Sequence, residues 1–117
     1  YHIRHSEQWL LRLGDGTEES NSRLQNAVNE LWSYTSEMFF TDEVETVLTE
    51  NKVIPSFDSI TIQWKDKIEK CLQEATIVIP TNGFQHSGGR IGKHTEHLGH
   101  LLSEMQILAR SYPNAKW

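Results

Sequence analysis

The 117-residue sequence is poor in several features that define common classes of protein. Its only cysteine is Cys71, so no internal disulfide can form, and a reducing compartment fits the chain. Cys71 lies in the apolar stripe of a predicted helix, with Ile60, Trp64, Ile68 and Ala75, so we expect a buried, inert thiol. The longest apolar run, around Ile77 and Ile79, is about five residues long and too short to span a membrane. The apolar share of 37% is low for a globular domain, which indicates a small domain or a piece of a larger one.

Basic residues are scarce in one region of the chain. Residues 15–50 contain nine acidic side chains and one basic side chain, Arg23, so this block carries a net charge of −8 and the remainder carries +3. An acidic surface repels phosphate, and no basic stripe with interleaved aromatic residues occurs elsewhere, which argues against nucleic-acid binding. We interpret the acidic block as a solvated helical face, with a docking surface for a basic partner as the alternative.

The spacing of apolar residues is predominantly helical. It predicts helices at about 1–13, 18–39, 42–49, 58–75 and 94–112. Capping residues support three of these starts: Thr17, the pair Thr41 and Asp42, and Ser56 or Asp58. Because nearly every predicted helix is apolar on one side only, we predict an all-α helical bundle in one domain. Residues 76–80 are expected to form a short edge strand, and the glycine-rich residues 81–93 a loop.

The first predicted helix carries two histidines. At about 100° per residue, His2 shares a face with Trp9 and Leu13, so we expect His2 to point inward. His5 lies at the flank of that face, with no evident partner. A diiron bundle places a Glu three residues before such a His, and that position lies before Tyr1.

The last predicted helix opens with a histidine cluster at His94, His97 and His100, and Glu96 lies within it. Imidazoles one turn apart can converge on zinc or iron. On the helical wheel, however, His94 falls at the centre of the leucine stripe while Glu96 points away from it. We therefore favour packing and hydrogen bonding at a helix N-terminus. The alternative is a metal-dependent enzyme, with diiron or zinc, that uses His2 or the pair His94 and His97.

Several segments together resemble a known family. They are YHIRHSEQWLLRLGDGTEES at residues 1–20, GKHTEHLGHLLSEMQ at residues 92–106, and the terminal Trp117. The sequence is similar to the C-terminal half of the C-type subunits of phenylacetyl-CoA ring 1,2-epoxidases, in the phenylacetate-degradation family. This resemblance implies a ferritin-like helical bundle in the cytoplasm, with residues 1–117 as the C-terminal part of a single domain.

The resemblance also implies a role. Subunits of this type are structural, non-catalytic partners of a homologous diiron subunit, which epoxidises the ring of phenylacetyl-CoA with O₂. We therefore expect no catalytic residue, metal ligand or cofactor in this chain, since the diiron centre belongs to the partner. His2 matches a ligand of the catalytic relative, so we interpret it as the remnant of a lost diiron ligand pair. Partner binding is assigned to His94, Glu96, His97 and Trp117.

The sequence also gives expectations about the start of the first helix and about further partners. Residues 1–5, YHIRH, have no initiator Met and no cap, so we expect the first helix to begin before Tyr1. The resemblance then implies that about the first half of such a subunit precedes this sequence. A homo-oligomer stays an open alternative, and neither nucleic acid nor a membrane is expected as a partner. A plain helical interaction module unrelated to oxygenases is a third hypothesis.

Overall fold

The computed structural model describes residues 1–81 and 83–116, which separate into two compact units that divide after His86. The first unit contains α1 (His2–Gly14), α2 (Glu18–Leu31), α3 (Glu43–Glu50) and α4 (Phe57–Glu74), and the second contains α5 (Glu96–Ser111). Short 3₁₀ turns occur at Trp32–Tyr34, Ser36–Phe39 and Gly89–Ile91. No strand occurs in the described ranges, so the all-α prediction is confirmed. The single-domain assignment stays a prediction.

The helices differ from membrane-spanning segments in length and polarity. Within residues 1–81 and 83–116, every helix is too short or too polar to span a lipid bilayer.

Three helices begin at the residues that the sequence indicates. The Thr17 hydroxyl accepts the backbone N–H of Ser20 at 3.1 Å, at the start of α2. Asp42 starts α3 with a capping box, in which the Glu45 side chain accepts the Asp42 N–H in return. Ser56 rather than Asp58 caps α4. These side chains accept hydrogen bonds from helix N–H groups that have no partner within the helix. The first residue of each helix can therefore be predicted from the local sequence.

The second helix is shorter than predicted. It ends at Leu31, and residues up to Phe39 continue as two 3₁₀ turns. The Thr35 hydroxyl donates to the Trp32 carbonyl at 2.8 Å, and the Thr35 N–H bonds the same carbonyl at 3.1 Å. Hydroxyl groups that compete for helix carbonyls favour such tightened turns.

The core of the first unit lies where α4 ends. Leu72, Ala75 and Ile77 are buried, and partly buried side chains from α1, α2 and α4 pack around them, namely Leu10, Leu11, Leu24, Val28, Trp32, Ile68 and Ile79. Cys71 is also buried, with 7% of its surface exposed, as predicted. The rings of Trp32 and Trp64 extend this contact, with centroids 6.0 Å apart. The core residues of α2 and α4, such as Leu24 with Val28 and Ile68 with Leu72, lie one helical turn apart on one face of each helix.

A hydrogen-bond node holds the ends of three elements together. The Asn21 amide donates to the Gly14 carbonyl at 2.8 Å and to the Thr76 hydroxyl at 3.0 Å. The Thr76 hydroxyl donates to the same Gly14 carbonyl at 3.2 Å. Thr76 has a φ of 57°, a conformation that non-glycine residues seldom adopt. The node fixes the end of α1 against α2 and against the turn that follows α4.

The predicted strand at residues 76–80 is wrong. The Val78 N–H donates to the Gln25 Oε1 at 2.8 Å, and the Gln25 Nε2 donates to the Val78 carbonyl at 2.8 Å. A side-chain amide thus takes both backbone groups that a neighbouring strand would use. Because α2 supplies that amide, the extended segment is paired without a sheet.

The second unit consists of a glycine turn followed by α5. Gly88 and Gly92 have φ values of 97° and 87°, which glycine adopts readily, and they flank the 3₁₀ turn. Thr95 occupies the N-cap of α5, so the helix begins at Glu96 and not at His94 as predicted. The preceding loop is confirmed for residue 81 and residues 83–88, and residue 82 lies outside the described residues.

Candidate functional site

The packed face of α1 differs from the predicted one. Gly14 is buried, and Glu7, Leu10 and Leu11 are partly buried, on the side that contacts α2 and α4. His2 is exposed, and Trp9 keeps 48% of its surface exposed. The prediction that His2 points into a packed core is therefore wrong, although His2 lines a groove between α1 and α4 together with Leu10 and Ile68. Gly14 lies against Ala75, the residue that follows α4, and it is about 120° round the helix from the face that contains Trp9.

An array of aromatic rings follows the opposite side of α1. The His5 ring stacks on Tyr1 with centroids 5.8 Å apart, and it meets the edge of Trp9 at 6.4 Å. The Arg12 guanidinium lies 5.8 Å from the centre of the Trp9 ring. We call these four residues, Tyr1, His5, Trp9 and Arg12, the aromatic face of α1. The expectation that His5 has no partner is wrong, and the spacing of four residues was the signal that would have revealed it.

An ion pair lies on the packed side of α1. Lys67 on α4 pairs with Glu7 on α1. Hydrogen bonding to the Glu7 carboxylate raises the pKa of Lys67 above its ordinary value of 10.5. On one side of the pair, a groove of about 360 Å³ is lined by charged residues that include Arg4, Lys70 and Glu74. On the other side, a groove of about 250 Å³ is lined mainly by apolar groups.

Cys71 lies beneath both grooves. Its sulfur is a free thiol, and burial raises the pKa of this thiol above its ordinary value of 9.0. A thiol that resists ionisation is a poor nucleophile at neutral pH, because the thiolate is the reactive form. The structure thus agrees with the prediction of a buried, inert cysteine.

The predicted partner-binding residues lie in the second unit. His94, Glu96 and His97 are exposed, and His94 precedes α5 instead of occupying its leucine stripe. Trp117 lies outside the described residues. Within residues 1–81 and 83–116, no group of three or more His, Cys, Asp or Glu side chains is placed to hold a metal ion. The assignment of partner binding to His94, Glu96, His97 and Trp117 stays a prediction.

The apolar side of α5 is open. The large side chains of this stripe are exposed, with Met105 at 71%, and the stripe also includes Leu101, Leu102, Leu108 and Tyr112. Leu98 alone among the stripe's leucines is partly buried. Contiguous apolar surface of this kind marks sites at which other protein packs.

Together these features define an all-α protein whose helices carry open apolar and aromatic faces. A family model described as phenylacetic acid catabolic protein matches residues 1–117. The chain belongs to this family, and the membership agrees with the predicted ferritin-like helical bundle.

One relative shows where in the family the chain falls. The sequence is 39% identical over 117 residues to the C-type subunit of the 1,2-phenylacetyl-CoA epoxidase of Escherichia coli strain K12. The match covers 100% of this chain and 47% of the relative, so the chain spans about half the length of that protein. The predicted resemblance to the phenylacetate-degradation family is confirmed.

Proposed function

We propose that this chain is part of the structural, non-catalytic subunit of a multicomponent oxygenase that epoxidises the ring of phenylacetyl-CoA. In this role it binds and orients a homologous diiron catalytic subunit in the cytoplasm. The identity to a C-type epoxidase subunit over the whole chain supports the assignment. The partner supplies the diiron centre and the O₂ chemistry, and this chain supplies helical surface.

The observation that carries the proposal is the contrast between a small core and large open faces. Among the described residues, the buried apolar side chains are Cys71, Leu72, Ala75 and Ile77. The aromatic face of α1 and the stripe on α5 are exposed by comparison. Covering apolar surface contributes about 25 cal/mol per Å², so packing of further helices on these faces, from the rest of the subunit or from a partner subunit, is stabilising.

The experiment combines association with metal analysis. The chain and the diiron catalytic subunit from the same organism are purified separately, mixed and passed over a sizing column. We expect one co-eluting complex in which the iron follows the catalytic subunit. Iron bound stoichiometrically to this chain alone, retained through dialysis and lost on His2→Ala, would establish the metal-dependent alternative instead. Failure to form any complex with the catalytic subunit would contradict the structural role.

A further inference from the structure

We propose that the apolar groove between α1 and α4 is covered, in the complete subunit, by a helix from the half of the subunit that lies outside this chain. The inference rests on family membership and on length, and not on the proposed function. The chain spans 47% of its relative, so a subunit of that length contains about as many residues again. The covered groove is then part of the subunit's own core and is not a docking surface for another subunit.

The chain exposes more surface than its size requires. Its solvent-accessible surface is 9810 Å². Two separate compact bodies with the sizes of its two units would expose about 7,700 Å², by the scaling that folded monomers follow. The excess of about 2,100 Å² is more than twice the roughly 800 Å² that a partner covers in a standard protein interface. One docked partner therefore leaves most of the excess exposed, whereas a further half-subunit can cover it.

One side of α1 has the composition of a covered surface. About 120° of this helix carries no Asp, Glu, Lys or Arg, and we call its residues the groove arc: His2, Ile3, Ser6, Trp9, Leu10 and Leu13. Leu10, near one edge of the arc, packs on the core of the first unit. Ile3 keeps 66% of its surface exposed, however, and Leu13 keeps 38%. Since a helix normally buries an apolar stripe of about this width, the groove arc calls for a further neighbour.

The helix α4 supplies the second wall of the groove. The groove of about 250 Å³ is lined by residues of the groove arc on α1 and by Ile68 and Cys71 on α4. The ion pair of Lys67 with Glu7 separates it from the second groove, whose lining is mostly charged. Charged walls favour water, whereas apolar walls favour another helix, so the pair marks the border between solvated and covered surface. A helix laid between two others is the ordinary packing of a helical bundle.

Covalent attachment favours the rest of the subunit over a separate chain as the occupant. A segment of the same polypeptide reaches the groove at an effective concentration on the order of millimolar, whereas a second copy or another subunit reaches it only at its own concentration. The groove arc also lacks the Asp, Glu, Lys and Arg side chains that would select a partner by electrostatic complementarity. The occupant is therefore a helix of the same subunit with an apolar stripe and no matching row of charges.

The test uses the complete subunit, purified without the catalytic subunit. Ser6→Glu puts a carboxylate at the centre of the groove arc, and Gln8→Glu puts the same group on the same helix outside the arc. Both positions are exposed in this chain, so both substitutions are harmless if the groove stays open. We expect Ser6→Glu to lower the midpoint of thermal unfolding by about 5 °C or more, because an unpaired carboxylate is costly to bury, and Gln8→Glu to leave it within about 1 °C. Equal midpoints would overturn the inference.

Hydroxyl-radical footprinting of the wild-type subunit gives a readout that needs no variant. Trp9 keeps 48% of its surface exposed in this chain, whereas Trp32 is partly buried against the core. In the complete subunit alone, we expect Trp9 to be oxidised no faster than Trp32. Faster oxidation of Trp9, protection that appears only when the catalytic subunit is added, or protection that rises with subunit concentration would each overturn the inference. Failure of the catalytic subunit to bind would contradict the proposed function and leave this inference standing.

Discussion

Gly14 and Ala75 bring α1 into backbone contact with the end of α4. A Cβ atom placed on Gly14 would lie 2.0 Å from the Ala75 carbonyl oxygen and 2.8 Å from the Ala75 Cβ. Ala75 is fully buried, so neither partner has room to withdraw. A glycine is therefore required at the end of α1, and this contact decides which side of α1 faces the core.

Gly14→Ala is expected to destabilise the first unit. Forcing an extra methyl group into a close-packed contact costs about 1–3 kcal/mol, and here the obstacle is backbone instead of a flexible side chain. Urea unfolding followed by circular dichroism measures the loss. Gly99→Ala is the matched control, because a Cβ on Gly99 in α5 meets nothing within 4 Å. That substitution should leave stability unchanged or raise it slightly, since alanine favours helix over glycine. Equal effects of the two substitutions would contradict the close contact at Gly14.

Gln25 is expected to hold the extended segment at Val78 in place. Gln25→Ala removes the bond to the Val78 N–H and the bond to the Val78 carbonyl, and each bond contributes about 1 kcal/mol. Gln25→Glu keeps an acceptor for the N–H but sets a carboxylate against the carbonyl, so it should also destabilise. Hydrogen exchange at the Val78 amide should accelerate most in Gln25→Ala, and less in Gln25→Glu, which keeps the acceptor of the Val78 N–H. Asn29→Ala is the control, because Asn29 only accepts a further bond from the Gln25 amide; slow exchange in Gln25→Ala would refute the pairing.

The parts of the fold that local chemistry decides were predictable. Thr17, Asp42 and Ser56 cap their helices, because a cap depends on a side chain and an N–H group two or three positions away. The stripe of α4 was also predictable, since its Cys71 and Ala75 are buried at helical spacing.

Other features depend on partners distant in sequence. The helical spacing of α1 predicted that the side with His2 and Trp9 faces the core. In the structure, the side that contains Gly14 faces the core, where Gly14 contacts Ala75. The segment at Val78 was interpreted as a strand because nothing in its own sequence reveals the amide of Gln25, 53 positions away. The ring array that includes His5 follows the spacing of four residues along α1, a local helical pattern that the sequence already contains.

The ion pair between Lys67 and Glu7 should make part of the stability depend on pH at the alkaline end. The folded-state pKa of Lys67 is raised above 10.5, so the pair stabilises the fold fully below that value and is lost as pH rises through the folded pKa. Lys67→Met should lower the urea midpoint slightly at about pH 7, and the difference from wild type should shrink by about pH 11. Arg23→Met should show no such difference, because the pair of Arg23 with Glu19 is highly exposed. A pH-independent effect of Lys67→Met would assign the stabilisation to packing of the lysine stem.

The alkylation rate of Cys71 should measure how tightly α1 packs against α4. Its thiol is buried, and burial raises its pKa, so alkylation by iodoacetamide at about pH 8 should be at least about tenfold slower in the folded chain than in urea. Movement of α1 away from α4 would expose the thiol further, so changes in this rate measure local opening. Gly14→Ala should speed alkylation because it weakens that contact, whereas Gly99→Ala should not. Equal rates in the folded chain and in urea would show that α1 does not cover Cys71 in solution.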